Sequence, residues 1–398
     1  MRLSVLILLR ISALALATLS HYPANAGELG SAPGSRDMEA LLVKSLLSIN
    51  SNELDAALNE VDALLKINPN FRLAQLVKGD LLLARVKPLN DFGNMPGASR
   101  EQMEDLRDEA RVRLQRIQKA PPNLAPKYVW QLDPRQRYAI IVDTGKSTLY
   151  LYENINGVAR YVADYYISIG KQGSEKLSEG DQKTPLGVYF VNASLPKKSL
   201  TDFYGSGAYP LSYPNEWDRK QGRDGHGIWL HGTPADTYSR PPRSSNGCIV
   251  LSNRDLEALG KVLQIGVTPV IITDQMDWGN DQDQAERDTL LQAIEQWRTD
   301  WASINTDVYL KHYAHDFSGG GDNLSTWSAH KKKVNAGKSW IKVGLSNLSV
   351  FAYPSQSNLA VVNFEQDYSS NTLSNRMKKR QYWMKQNNRW QIIYEGAA

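Results

Sequence analysis

The sequence holds a single cysteine, Cys248, in the run Ser244-Ser245-Asn246-Gly247-Cys248-Ile249-Val250-Leu251. Seventeen positions earlier stands His231, in Gly225-His226-Gly227-Ile228-Trp229-Leu230-His231-Gly232-Thr233. A thiol attacks a carbonyl as the thiolate, and a free pKa of about 8.5 leaves little of it ionised at neutral pH. A neighbouring imidazole corrects this by taking the proton or pairing with the anion. Ile228, Trp229 and Leu230 read as a hydrophobic strand that delivers His231 at its end, where Gly232 opens a loop, and catalytic groups are commonly placed at such ends. Gly247 permits a sharp backbone bend before the thiol, and N–H groups around a bend can stabilise a tetrahedral oxyanion. Cys248 is therefore a candidate nucleophile and His231 its base. On a continuous strand His226 would face the side opposite His231, and it is a candidate for the wall of the cleft. His226, His231, Asp224 and Asp236 show no metal-ligand spacing, so neither a metal nor a cofactor is expected.

These residues need a scaffold, and the pattern supplies one. Between about 126 and 274 apolar residues recur with a period of two. Tyr138–Val142 and Thr148–Tyr152 flank Asp143-Thr144-Gly145-Lys146 as a hairpin, followed by Tyr161–Gly170, Lys183–Val191, Gly227–His231 and Val267–Thr273 as strands. One short helix, about Arg254–Leu263, has Ser252 or Asn253 as its N-cap. Tyr204, Tyr209, Tyr213 and Trp217 lie in a Gly/Pro-rich loop before the His231 strand, which reads equally as a gripping lid or as a packed irregular loop. Residues 38–119 have helical spacing, with a tetratricopeptide-like hairpin at Ala56–Ala84 and a charged helix at about Ser99–Lys119. This module is expected to serve packing, and it is also a candidate homodimer surface. Ala120–Pro126 is a linker. Residues 285–398 read as a helix, Ala285–Tyr313, and then strands at Trp340–Leu345, Leu348–Tyr353, Leu359–Tyr368, Lys378–Gln386 and Trp390–Tyr394, with Asn387-Asn388 as a tight turn. His312 and His315 are expected to be structural or surface residues, and Lys331-Lys332-Lys333 a solvated loop.

The bulk numbers set limits. A chain of 398 residues is too long for one core, so two or three domains are expected. Its 46 Lys and Arg against 42 Asp and Glu leave a small positive charge without a basic stripe, so nucleic acid is not a predicted partner. Residues 1–26 have the form of a signal peptide, with Arg2, an apolar run broken by Arg10, and Ala24-Asn25-Ala26 as a cleavage site. No later stretch is apolar enough to span a membrane. An exported chain with one cysteine cannot bridge it internally, which sharpens the question of what the thiol is for.

His231-Gly232-Thr233, Ser245-Asn246-Gly247-Cys248-Ile249 and Thr184-Pro185-Leu186-Gly187-Val188-Tyr189, in the order Thr184, His231, Cys248, resemble the L,D-transpeptidase (YkuD-type) family. The likeness spans about residues 135–275. It implies a peptidoglycan stem peptide as substrate, in the periplasm. Cys248 would form a thioester at the L-centre carbonyl of the third residue, and an amine (cross-linking) or water (L,D-carboxypeptidase trimming) would resolve it. It further implies that the Gly232 carbonyl orients the imidazole and that Gly247 and Cys248 N–H groups form the oxyanion hole. Two positions depart from the common pattern: Asn246 stands where many members have His, and Val250 where many have Arg. Arg240, Arg243 or Arg254 would have to supply the missing cation. Further candidate substrate contacts are His226, Trp229, Ser245, Asn246 and Tyr209. The C-terminal pattern resembles the NTF2-like fold. The whole is thus a helical N-terminal module, a mostly β catalytic domain and an α+β C-terminal domain, as in a subgroup linked to cell shape. Two other functions fit the same sequence: a non-catalytic wall-binding scaffold, and a hydrolase that releases a protein attached to the diamino acid.

Overall fold

The computed structural model describes residues 35–89, 91–93, 99–116 and 125–398. The expected signal peptide and most of the linker lie outside the described residues. Helices α1 (Ser35–Asn50), α2 (Leu54–Ile67), α3 (Arg72–Ala84) and α4 (Arg100–Gln115) form the N-terminal module. Met38, Leu42 and Leu46 recur every four residues on α1 and close a core with Val61 and Leu64 of α2 and Leu73 and Val77 of α3. Ser99 caps α4 by accepting a hydrogen bond from the Gln102 N–H. One member of this core, Tyr238, comes from far along the chain.

The middle of the chain runs β1 (Val129–Gln131), β2 (Tyr138–Asp143), β3 (Thr148–Ile155), β4 (Val158–Tyr166), β5 (Ile169–Gly170), β6 (Gly187–Phe190), β7 (Leu195–Pro196), β8 (Gly207–Pro210), α5 (Glu216–Lys220), β9 (Trp229–His231), β10 (Arg243–Ser245), β11 (Ile249–Val250), α6 (Asn253–Gly260) and β12 (Pro269–Thr273). A five-stranded sheet, β4-β3-β2-β12-β6, is its backbone, and a four-stranded sheet, β11-β9-β8-β7, carries the site. Every residue of β2 and of β12 is buried. Alternation explains it: Tyr138, Ile140 and Val142 enter the core shared with β9, β11 and α6, while Ala139 and Ile141 enter a second core on the other face. That second core is completed by Phe351, Tyr353, Val361, Tyr382 and Ile393 of the C-terminal domain.

The C-terminal domain comprises α7 (Asp281–Ala302), α8 (Thr306–Leu310), β13 (Tyr313–Gly319), β14 (Asp322–Asn323), α9 (Leu324–Asn335), β15 (Ile341–Ala352), β16 (Leu359–Ser370), β17 (Ser374–Gln386) and β18 (Arg389–Ala397). Its sheet has the order β1-β15-β16-β17-β18-β13-β14, so β1 of the middle region is its edge strand. Asn387 and Asn388 have φ of 47° and 61° and form the expected tight turn. The single helix expected over 285–313 is two, because Ile304 takes φ 66° between α7 and α8. The two strands expected over 340–353 are one, and β13 and α9 fall where no element was expected. Lys331 is accordingly not in a loop: it lies on α9, with its ammonium 4.1 Å from the Trp327 ring and 5.4 Å from that of Trp301. His312 is buried on Asp300 at 2.6 Å, and His315 is exposed. No helix among the described residues is long and apolar enough to cross a membrane.

Candidate active site

β9 and β11 pair in parallel, Leu230 opposite Ile249 and His231 opposite Val250. Leu230 and Ile249 are fully buried in the core. His231 therefore points to the other face, and Cys248, one residue before Ile249, falls on that same face. The Cys248 sulfur also meets the Trp229 N–H, two residues before His231 on β9. The His231 Nδ1 lies 2.7 Å from the Gly232 carbonyl oxygen. A carbonyl only accepts, so Nδ1 carries the hydrogen and Nε2 keeps its lone pair in the neutral ring. Phe203 and Tyr204 enclose the ring, with centroids 5.7 and 5.2 Å from it. Burial lowers the imidazole pKa to about 4, against the Gly232 bond and with the Arg240 charge adding to the fall.

Cys248 is partly exposed, and its Sγ donates to the Gly227 carbonyl at 3.2 Å. Burial pushes the thiol up. The Trp229 N–H and the charges of Arg240 and Lys176 act in the opposite direction. Among the described residues the Cys248 N–H has no hydrogen-bond partner and remains available to an oxyanion. The Gly247 N–H is engaged, donating to Ser245 Oγ at 3.1 Å, and Ser245 Oγ in turn donates to the Cys248 carbonyl at 2.6 Å. This corrects the expectation that both N–H groups face the oxyanion, and it makes Ser245 a brace of the loop. Gly247 has φ 120°, and a Cβ there would lie 2.7 Å from the Lys183 carbonyl oxygen. Thr184, from the Thr-Pro run, donates to the Gly247 carbonyl at 2.9 Å and accepts from the Gly170 N–H at 3.0 Å. Asn253 lies under the neighbouring loop, accepting from Ser206 N–H at 2.8 Å and donating to the Thr233 carbonyl at 2.8 Å. The N-cap of α6 is Ser252.

Of the three arginines, Arg240 is at the site: its guanidinium lies 4.8 Å from the centroid of Phe203, and its charge reaches both Cys248 and His231. Arg243 is exposed on β10 and Arg254 is exposed on α6. The strand carrying His231 begins only at Trp229, because Gly225 and Gly227 take φ of 96° and 75°. His226 is thus off the strand, exposed and 3.4 Å from Glu179, which corrects its expected placement. The Trp229 ring packs tilted against that of Tyr204, with centroids 4.9 Å apart, and Tyr204 in turn meets His231. Asn246 is exposed. Tyr209 runs under Gly260 of α6, while Tyr213 and Trp217 are buried, so of the four lid aromatics only Tyr204 meets the ring of His231.

Two residues were not singled out from the sequence. Phe203 bridges His231 and Arg240. Lys176 is only 3% exposed, bound to Asp181 at 2.8 Å, with its charge acting on the thiol. Burial alone would raise the Asp181 carboxyl, but Lys176 and three backbone N–H groups bring it down to about 2.

Comparison with known proteins adds two family matches. Residues 137–272 match the L,D-transpeptidase catalytic domain, and residues 289–396 match the Cds6 C-terminal NTF2-like domain. No curated protein sequence matches the chain. Among solved structures, Bd1075 of Bdellovibrio bacteriovorus is similar with 28% identity and a TM-score of 0.61, covering 69% of this chain and 98% of that one. The protein described as the helical cell shape determining protein Pgp2, from Campylobacter jejuni, is 25% identical with a TM-score of 0.58, covering 69% and 96%.

Proposed function

We infer that this chain, which carries an L,D-transpeptidase catalytic domain followed by an NTF2-like domain, is an exported cysteine acyltransferase of the peptidoglycan stem peptide. The observation that carries this reading is the shared face of Cys248 and His231, with the ring's Nδ1 fixed on Gly232 and its Nε2 left as the basic nitrogen. The thiol leaves the Gly227 carbonyl and passes its proton to Nε2. The sulfur then attacks the carbonyl carbon of the stem's third residue. The Cys248 N–H donates to the oxyanion, and Arg240 stabilises the developing negative charge. As the intermediate collapses, the C–N bond breaks, the His231 proton goes to the leaving amine of the terminal D-residue, and a thioester remains. Water resolves it to a trimmed stem, or an amine of a second stem resolves it to a cross-link.

The likeness to Pgp2 supports a role in cell shape, and residues 1–26 support export. Tetrapeptide muropeptides given to the purified protein are expected to yield tripeptides or 3→3 linked dimers by mass spectrometry. Cys248→Ala is expected to yield neither. Products from that variant, or none from a folded wild type, would reject the assignment.

A further inference from the structure

Residues 233–243 connect the His231 strand to the cysteine loop, and the far side of this connection is embedded in the helical module. The Tyr238 ring lies 4.6 Å from that of Phe71 and is a buried member of the helical core. Ser239 Oγ donates to Glu109 of α4 at 2.7 Å. Glu109 is itself buried and paired with Arg113 at 2.9 Å, and the Arg113 guanidinium covers the Tyr166 ring at 3.8 Å. Tyr166 OH and Ser168 Oγ then donate to the carbonyl of Arg240 at 2.9 and 3.0 Å. The two residues just before Arg240 are thus held by helices, and Arg240's own backbone is held by β4 and the residues after it. Its side chain is left to cross the Phe203 ring toward His231.

We propose that the helical module is a positioning element of the active site, holding residues 233–243 so that Arg240 is presented to the face shared by Cys248 and His231. A module that served packing alone would have no need to take its partner residues from the segment joining the base to the nucleophile. Tyr238 and Ser239 are positioning residues, since neither touches the thiol or the imidazole. The proposal rests on the reading of Cys248 as nucleophile, and the two are separable by experiment.

Cys248 is the one thiol in the chain, so the pH midpoint of its alkylation by iodoacetamide, read by intact mass on the full chain, reports its surroundings without turnover. Arg240→Gln is expected to raise the midpoint, and Tyr238→Ala to raise it in the same direction, making alkylation at pH 7 about three- to tenfold slower. Tyr238→Phe, which keeps the ring on Phe71, is expected to restore the wild-type profile. On the Arg240→Gln background, Tyr238→Ala is expected to add nothing. A folded Tyr238→Ala protein with the wild-type midpoint, or one whose effect adds in full to Arg240→Gln, would overturn the proposal. Should Tyr238→Ala fail to fold, Ser239→Ala is expected to move the midpoint in the same direction, slowing alkylation at pH 7 by about twofold, and an unmoved midpoint there overturns it equally. Muropeptide products surviving in Cys248→Ala would instead reject the nucleophile, whatever the alkylation profile.

Discussion

Burial lowers the His231 imidazole to about 4 and pushes the Cys248 thiol up, so at neutral pH burial favours the uncharged form of both over an ion pair. This has a measurable sign. Unfolded, the imidazole takes up a proton near its ordinary 6.5, and folded only near 4. Its contribution is fully present above about 6.5 and is lost as pH falls toward 4, because there the unfolded chain binds the extra proton. Urea titrations across that window are expected to show a shallower fall in stability for His231→Gln than for the wild type, the difference reaching at most about 3 kcal/mol. A parallel fall in the two proteins would count against a neutral buried ring. Cys248 and His231 were legible as candidates because their residue types and short motifs point to thiol chemistry directly. Arg240 was legible only as one of three arginines, since which of them turns inward depends on the path of a loop. Lys176 comes from a loop and Phe203 from a single 3-10 turn, Asp202–Tyr204, and neither leaves a local signal. Nor could spacing reveal that Ser245 occupies the Gly247 N–H.

The loop carrying the thiol is held from below by Thr184 and from within by Ser245. Thr184→Ala would leave the buried Gly247 carbonyl and the Gly170 N–H without this partner, and thermal denaturation is expected to show a loss of about 1–3 kcal/mol. Gly247→Ala meets both a left-handed φ and the Lys183 carbonyl. It is expected to lose about 1–3 kcal/mol as well and, unlike a remote destabilising change, to slow alkylation of the adjacent thiol even where the protein remains folded. Two apolar runs on either side of Asp143-Thr144-Gly145-Lys146 made the hairpin of β2 and β3 readable, and Asn387-Asn388 marked the last one. The strand expected over Gly227–His231 begins only at Trp229, because Gly225 and Gly227 take positive φ values, and His226 is released to solvent. α9 went unread because few of its side chains are buried, among them Trp327 and Asn335, so it has no apolar stripe. Its one local signal was Asn323, whose side chain caps it in a reciprocal pair with Thr326.

Across the whole molecule, the five-stranded sheet β4-β3-β2-β12-β6 is buried on both faces, and one of those faces belongs jointly to the C-terminal domain. β1 pairs with β15, Tyr382 OH donates to Glu216 at 3.0 Å, and Asn215 Nδ2 donates to Tyr353 OH at 3.1 Å across the same boundary. Removing the chain after residue 280 would expose Ile141, Val188, Phe190 and Ile271 together, at about 1.5–3 kcal/mol for each large side chain. The truncated chain is expected to be insoluble or to lack a cooperative melt, and in calorimetry of the intact chain the catalytic and NTF2-like domains are expected to unfold in one transition. Two well-separated transitions for these domains would contradict the shared core. The sequence showed three regions by their changes of period. It did not show this joint face, because a strand buried on both sides reads as plain hydrophobicity, and a three-residue strand such as β1 carries no period at all.

In the proposed reaction the Cys248 sulfur becomes covalently acylated by a stem peptide. The most direct measurement of this step is the intact mass of the protein after acid quenching during turnover of a tetrapeptide muropeptide. The wild type is expected to gain the mass of the muropeptide less its terminal D-residue, on the peptide containing Cys248, and Cys248→Ala is expected to gain nothing. Stem trimming or cross-linking that proceeds undiminished in Cys248→Ala, with no adduct on the wild type, would contradict it.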